Sequence, residues 1–170
     1  MRTSFFLRGA WAAAGALVLS SCSPTYNWRD YSSEQGAYKV LFPAKPSSFT
    51  RTIDLNGMKV DMTMTAAEVD GATFAVGAGT AADEGQALAA LPAMRQALLR
   101  NIGVQDTGAV PDAKGRITVD ATGRGNGQTV KLDGRFEAKG RRFYQVIVLG
   151  KSGTVPPEQV EQFLSSFAPL

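Results

Sequence analysis

The hydrophobic and polar positions along this chain change period several times, and each change marks an element. Beyond Ala37, Tyr38, Val40 and Phe42 alternate with Lys39 and Leu41 until Pro43 and Pro46, which cannot donate to a ladder, end the run. Phe49–Leu55 and Met58–Val69 then flank Asn56-Gly57, a hairpin signal because Asn and Gly tolerate the positive φ that a tight two-residue turn requires. Asp70-Gly71 turns into Ala72–Gly79, where Ala72, Phe74, Val76 and Ala78 share one face. The pattern predicts a meander of about four strands.

A helical period follows from Asp83 to Ile102. Asp83 and Gln86 have the spacing of a capping box, Leu88, Leu91, Leu98 and Ile102 supply an apolar stripe flanked by Ala87 and Met94, and Gly103 ends the helix. Pro92 lacks an amide hydrogen and crowds the preceding turn, which predicts a kink or a fresh helix start there. The second half repeats the theme with no obvious residue identity: a weak strand at Val104–Val110, a better one at Arg116–Thr122 and a clear one at Gln128–Ala138. In the last, Val130, Leu132, Gly134, Phe136 and Ala138 face one way, and the opposite face, from Thr129 to Glu137, reads as wet. Arg141–Gly150 is nearly continuously apolar, as a central strand covered on both faces would be. Pro156-Pro157 pre-set a closing helix in which Val160, Phe163, Leu164 and Phe167 fall at i, i+3, i+4 and i+7. The expected class is α+β, an antiparallel sheet of about seven to eight strands with a middle helix and a C-terminal helix packed on it.

The amino-terminal residues follow another pattern. Arg2 and Arg8 make a basic start, and the uncharged run Gly9–Leu19 has 11 residues, roughly half of the ~20 a bilayer-spanning helix needs. Leu19-Ser20-Ser21-Cys22 resembles the lipobox of bacterial lipoproteins, an aliphatic residue and two small residues before a cysteine. The resemblance implies cleavage between Ser21 and Cys22, a diacylglyceryl group on the Cys22 sulfur, and an α-amine open to acylation. Residues 1–21 are then a signal peptide, residues 22–36 a lipidated tether, and residues 37–170 a single α+β domain on the periplasmic side of a membrane. Cys22 is the only cysteine, so an intramolecular disulfide is excluded and lipidation accounts for the lone thiol. In enteric bacteria an Asp after the cysteine favours inner-membrane retention, so Ser23 points to the outer membrane. Within the tether, Tyr26, Trp28 and Tyr31 suit either the membrane interface or the domain surface, and the short reach of the segment favours the domain.

Charge changes once the leader is set aside: 18 basic residues become 16 against 15 acidic. Only Arg141 and Arg142 are adjacent among the remaining cations, so no basic stripe for nucleic acid exists. The strand Tyr38-Lys-Val-Leu-Phe-Pro43, the two meanders, Phe143-Tyr-Gln-Val-Ile-Val-Leu-Gly150 and the last helix ending Phe163-Leu-Ser-Ser-Phe167 are together similar to a group of proteobacterial lipoproteins with a PsbP-like domain. That resemblance implies accessory or assembly roles at membranes and supplies no catalytic residues.

Candidate chemistry is sparse. The chain has no histidine, which removes His-based triads, His metal ligands and the usual proton shuttle near pH 7. The carboxylate pairs Asp83-Glu84, Asp54 with Asp61, and Glu158 with Glu161 read more simply as a helix cap, solvent-facing strand residues and first-turn acids. Gly123-Arg-Gly-Asn-Gly127 looks like a phosphate loop, but no helix follows it, so a hairpin is the better reading. Met58, Met62 and Met64 share a strand face with Val60, which suits either Cu(I) or, more commonly, a sheet-to-helix core. The expectation is a lipoprotein with no catalytic, cofactor or metal residues that binds or supports another envelope protein. Its alternatives are a binder of a small apolar ligand and an unrecognised hydrolase.

Overall fold

The computed structural model describes residues 24–170; Ser21, Cys22 and the segment read as a leader lie outside the described residues. The elements run β1 (Arg29–Ser33), β2 (Tyr38–Phe42), β3 (Ser47–Leu55), β4 (Met58–Val69), β5 (Ala72–Thr80), α1 (Glu84–Asn101), β6 (Ile117–Gly125), β7 (Gln128–Lys139), β8 (Arg142–Lys151), α2 (Pro157–Ser166) and β9 (Ala168–Pro169). The class is α+β, with antiparallel sheets and two helices. In place of one sheet of seven or eight strands there are two: a six-stranded sheet in the order β3-β4-β5-β8-β7-β6 and a three-stranded sheet β1-β2-β9.

Both faces of the larger sheet are covered because its central strands carry apolar side chains on both. On one face α1 packs chiefly against β7, β8 and β6, burying Leu91, Met94 and Leu99 against Leu132, Phe136, Phe143 and Ile147. On the other, the small sheet and α2 enclose Phe42, Phe74, Tyr144, Val146 and Phe163. Residues 29–33, in the segment read as tether, form β1, and Tyr26, Trp28 and Tyr31 pack on this second core. Trp28 and Tyr26 each meet the Phe74 ring edge-on at 6.2 Å.

Several expectations change. Val104–Val110 forms no strand, because local bonds claim its backbone and side chains first. The Val104 amide donates to Leu99 O at 2.9 Å, Asp106 pairs with Arg95 of α1, and the Gly108 amide donates to Asp106 Oδ1 at 2.8 Å. Leu88 is not on the core stripe of α1 but exposed, and the helix instead buries Ala87, Ala90, Leu91, Ala93, Met94 and Leu99. Alanines carry little pattern signal, yet their small size lets this face sit close to the sheet. The helix also runs through Pro92 without a break. Pro92 and Leu88 are both on the exposed side, where water can serve the carbonyl that loses its amide partner. Gln86 completes only half of a capping box: its amide donates to Asp83 Oδ1 at 2.8 Å, while its side chain also turns to Asp83 Oδ2. Nor is the second face of β7 wet, since Glu137 is buried and Asp133 and Arg135 are half-buried.

Where the end of α1 meets β6, no side chain fits. The Arg124 amide donates to the Ile102 carbonyl at 2.8 Å, and a Cβ on Gly123 would stand 2.2 Å from that oxygen. Gly123→Ala should therefore cost about 2 kcal/mol, the order expected of overpacking between two backbones. Gly125→Ala, whose Cβ would meet Val130 Cγ1 at an ordinary 3.4 Å, should cost less than ~1 kcal/mol. Denaturant midpoints of the two variants check the difference, and equal midpoints would contradict this packing account.

Candidate functional site

A groove opens where the β1–β2 turn faces the first meander of the large sheet. Its position follows from two turns. Asn56 (φ 55°) and Gly57 (φ 92°) close the β3–β4 hairpin, which brings Thr50, Lys59, Asp61 and Thr63 to one side. Opposite, Ala37 takes φ 51°, and the Tyr144 hydroxyl lies 3.0 and 3.2 Å from Gly36 O and Ala37 O, which ties the β1–β2 turn to β8. Gln86 at the start of α1 and Arg142 at the start of β8 complete the walls of a cavity of about 500 Å³.

The lining is polar. On the groove side of β3 and β4 the hydroxyls form a cross-strand ladder: Ser48 Oγ to Thr65 Oγ1 at 2.8 Å, Thr50 Oγ1 to Thr63 Oγ1 at 2.7 Å, and Thr52 Oγ1 donating to Asp61 Oδ1 at 2.6 Å. Such pairs are the sheet counterpart of i,i+4 pairs on a helix. Lys59 and Arg142 make no ion pair among the described residues, so both cations remain open to a partner. Tyr38 lies in the wall with its hydroxyl buried and in no well-aligned hydrogen bond; burial pushes that phenol up to about 12, with the neighbouring Thr65 and Ser33 hydroxyls offsetting only part. The arrangement offers donors, hydroxyls and two cations to a polar segment. On this side the one hydroxyl beside a carboxylate is that of Thr52, whose proton is already engaged by Asp61 Oδ1 at 2.6 Å.

The residues singled out from the sequence do not converge on this groove. Asp83 caps α1. Asp54 Oδ1 accepts from the Gly57 amide at 2.6 Å and stands opposite Lys59, two pairs along from the Thr52–Asp61 pair, so only Asp61 reaches the groove. Glu158 and Glu161 are exposed on α2. Met62 and Met64 lie over Gly77, where an added Cβ would fall 2.2 Å from Met62 Cε and 2.8 Å from Met64 Sδ. They belong with Val60 and Met58 to the α1 side of the core, and of the four Met58 and Val60 also line the groove. Gly123 and Gly125 fall within β6, and Asn126-Gly127 forms a tight turn with φ 50° and 76°. Among the described residues no cluster of three or more His, Cys, Asp or Glu could hold a metal. Lys59, Arg142 and the hydroxyl ladder were missed; the alternation of Thr50 and Thr52 with Thr63 and Thr65 was the available signal.

Compared with known proteins, the chain matches no family model and no curated protein.

Elsewhere, the largely buried side chain of Arg135 ties the end of α2 to β7. Arg135 Nη2 donates to Phe167 O at 3.1 Å, and its guanidinium lies 5.7 Å from the Phe167 ring centre. Its Nε is 3.3 Å from Glu137 Oε2, an ion-pair distance without hydrogen-bond alignment. Burial therefore wins at Glu137 and holds its carboxyl above the ordinary value, with Arg135 and Arg116 offsetting only part.

Two outcomes follow from these buried groups. Tyr38→Phe removes an unpartnered buried hydroxyl and should leave stability unchanged or raise it by about 1 kcal/mol; a lowered thermal midpoint would show that the hydroxyl is bonded. For Glu137 the native state binds its proton more tightly than the unfolded chain, so its contribution falls as pH rises from about 4.5 through the raised native value. Glu137→Gln should therefore gain on the wild type across that window in denaturation series at successive pH values, and a narrowing gap would refute the assignment.

Proposed function

We propose that this chain is a bacterial envelope lipoprotein, held on the periplasmic side of the outer membrane by lipidated Cys22. Its PsbP-like α+β domain acts as a non-catalytic binding or assembly module for another envelope protein. The leader supports the anchoring part: a basic start, an apolar run too short to span a bilayer, and Leu19-Ser20-Ser21-Cys22. Among the described residues no helix is long and apolar enough to cross a membrane, so in this reading two or three acyl chains hold the domain.

The observation that carries the binding part is the groove. It is open, about 500 Å³ and lined by Thr50, Thr63, Asp61, Lys59, Gln86 and Arg142. An apolar small ligand would call for an enclosed, largely hydrophobic cavity with a few converging polar groups. An extended polar segment with a carboxylate suits two unpaired cations and a row of hydroxyls better.

The test is photo-crosslinking in the native envelope from a probe at Gln35, in the full-length chain. One specific envelope protein should be recovered, and its yield should drop at least several-fold in Lys59→Ala/Arg142→Ala. Recovery of no specific protein, or of the same protein undiminished by that pair of substitutions, would sink the groove as the binding surface. In the same cells Cys22→Ala should release the domain from the membrane fraction; retention would refute the anchor.

A further inference from the structure

The two edges of the large sheet are treated differently. The outer side of β6 is held at its two ends, where Arg95 Nε of α1 donates to Thr118 O at 3.2 Å and the Arg124 amide donates to Ile102 O, just past α1, at 2.8 Å. At β3 nothing comparable occurs. Among the described residues no backbone bond beyond the β3–β4 ladder involves Ser47–Leu55, and every position from Ser47 to Thr52 is exposed. The ladder with β4 is continuous from Ser47 to Leu55, so no bulge twists the edge away, and Arg51 and Asp54 are its only charges. An open, regular edge of this length is a template for another strand.

The hairpin geometry says which groups the edge presents. In a two-residue hairpin the residues flanking the turn exchange both hydrogen bonds, and the pattern then alternates. Leu55 pairs with Met58, so Ser48, Thr50, Thr52 and Asp54 direct their backbone amides and carbonyls outward. The equivalent hairpin of β6 and β7 obeys the same parity, since Thr118 and Arg124 are the β6 residues whose backbone is bonded outward.

We propose that β3 pairs antiparallel with β3 of a second copy of this chain, centred on Thr50. This register sets Thr50 against Thr50, Ser48 against Thr52 and Ser47 against Ile53. It also sets Phe49 against Arg51 twice, extending to the neighbouring chain a contact that each chain already makes, with the Arg51 guanidinium 6.0 Å from the Phe49 ring centre. The outward-directed residues become the hydrogen-bonded pairs, and Phe49 and Arg51 take the closer non-hydrogen-bonded positions. Like charges do not meet. Centring on Arg51 would oppose two guanidinium groups, and centring on Thr52 would set Arg51 against Ile53 and Phe49 against the already buried Leu55. The two-fold axis runs perpendicular to the sheet, so both β1-β2-β9 layers and the segments leading into both β1 strands lie on one face. That orientation lets two lipid anchors enter one bilayer, a consequence that rests on the anchoring reading above. Thr50 lines each groove, so the pairing sets the two grooves side by side.

The test uses the full lipidated chain in membranes and in detergent. Thr50→Cys should form a covalent dimer under mild oxidation, because directly opposed Cα atoms in a hydrogen-bonded pair lie about 5.5 Å apart, within disulfide reach. Thr50→Pro removes an outward amide while leaving the ladder to β4 intact; it should be a monomer by sedimentation with an unchanged far-ultraviolet spectrum, where the wild type is a dimer. Arg51→Asp should weaken the dimer at least several-fold without unfolding. A monomeric wild type, a folded Thr50→Pro variant that stays dimeric, or Thr50→Cys that crosslinks only to a different protein would each overturn the proposal. Lys59→Ala/Arg142→Ala should leave the dimer unchanged, which separates failure of this pairing from failure of the groove.

Discussion

The pairing of β5 with β8 is the constraint on which the rest of the structure depends. These strands are far apart in sequence, meet from Thr73–Leu149 to Thr80–Arg142, and lie at the middle of the large sheet. Both must be apolar on two faces, yet the α1 face leaves little room over β5. The strand meets this by putting Phe74 and Val76 toward the small sheet and Ala75, Gly77 and Gly79 toward α1. Large neighbours then lie over the glycines: Met62 and Met64 over Gly77, and the Phe143 ring over Gly79, where a Cβ would stand 2.3 Å from Cζ. Filling these positions forces either the methionines or Phe143 out of the core, and such shifts in a close-packed interior are felt well beyond the site.

From that central pair the sheet grows outward as two three-stranded meanders, β5-β4-β3 on one side and β8-β7-β6 on the other. The helices break this near-symmetry. The link from β5 to β6 carries α1 over the second meander, where it both fills the core and obstructs the β6 edge. The last helix packs on the opposite face with β2, held at its end by Arg135 against Phe167. The first meander is therefore left with a bare edge and, beside it, a groove that the β1–β2 turn only partly roofs. The accessible features of the domain sit together because cover was spent on the other half.

Most of the scaffold was legible because its signals are local. The Asn56-Gly57 and Asn126-Gly127 turns, the capping Asp83, the period-two runs of β2 and β7 and the apolar run of β8 are decided within a few residues. What escaped depends on long-range partners. Arg29–Ser33 reads as polar tether and becomes β1 only because it can pair with β2. Residues 104–110 look strand-like but are bound first to α1 through Leu99 and Arg95. Leu88 outranks Ala87 and Ala90 in hydrophobicity, yet the smaller residues face the sheet because closeness matters more there than side-chain area. Of the site, Asp61 and Met58 stood out from the sequence for other reasons, and the threonine alternation was a further signal there to be used. The convergence of Lys59 and Arg142 depends on the β4–β5–β8 order, which no window of sequence contains.

An exposed strand edge is ordinarily an aggregation hazard, and the asymmetry of cover bears on whether it is one here. A sheet with two free edges can add copies without limit, whereas β6 is held at its two ends by contacts from Arg95 and Ile102. Pairing through β3 alone is isologous, so it consumes the free edge of both copies and stops at two. The proposed lipid anchor would act in the same direction: copies held on one bilayer through Cys22 would present the same face to it, which would raise the effective concentration of edges already oriented for the two-fold. A bare β3 is thus compatible with a bounded assembly because the opposite edge is obstructed at both ends, and its polarity fits that role: hydroxyls along one side and a single Phe49–Arg51 contact on the other give register with little exposed apolar surface.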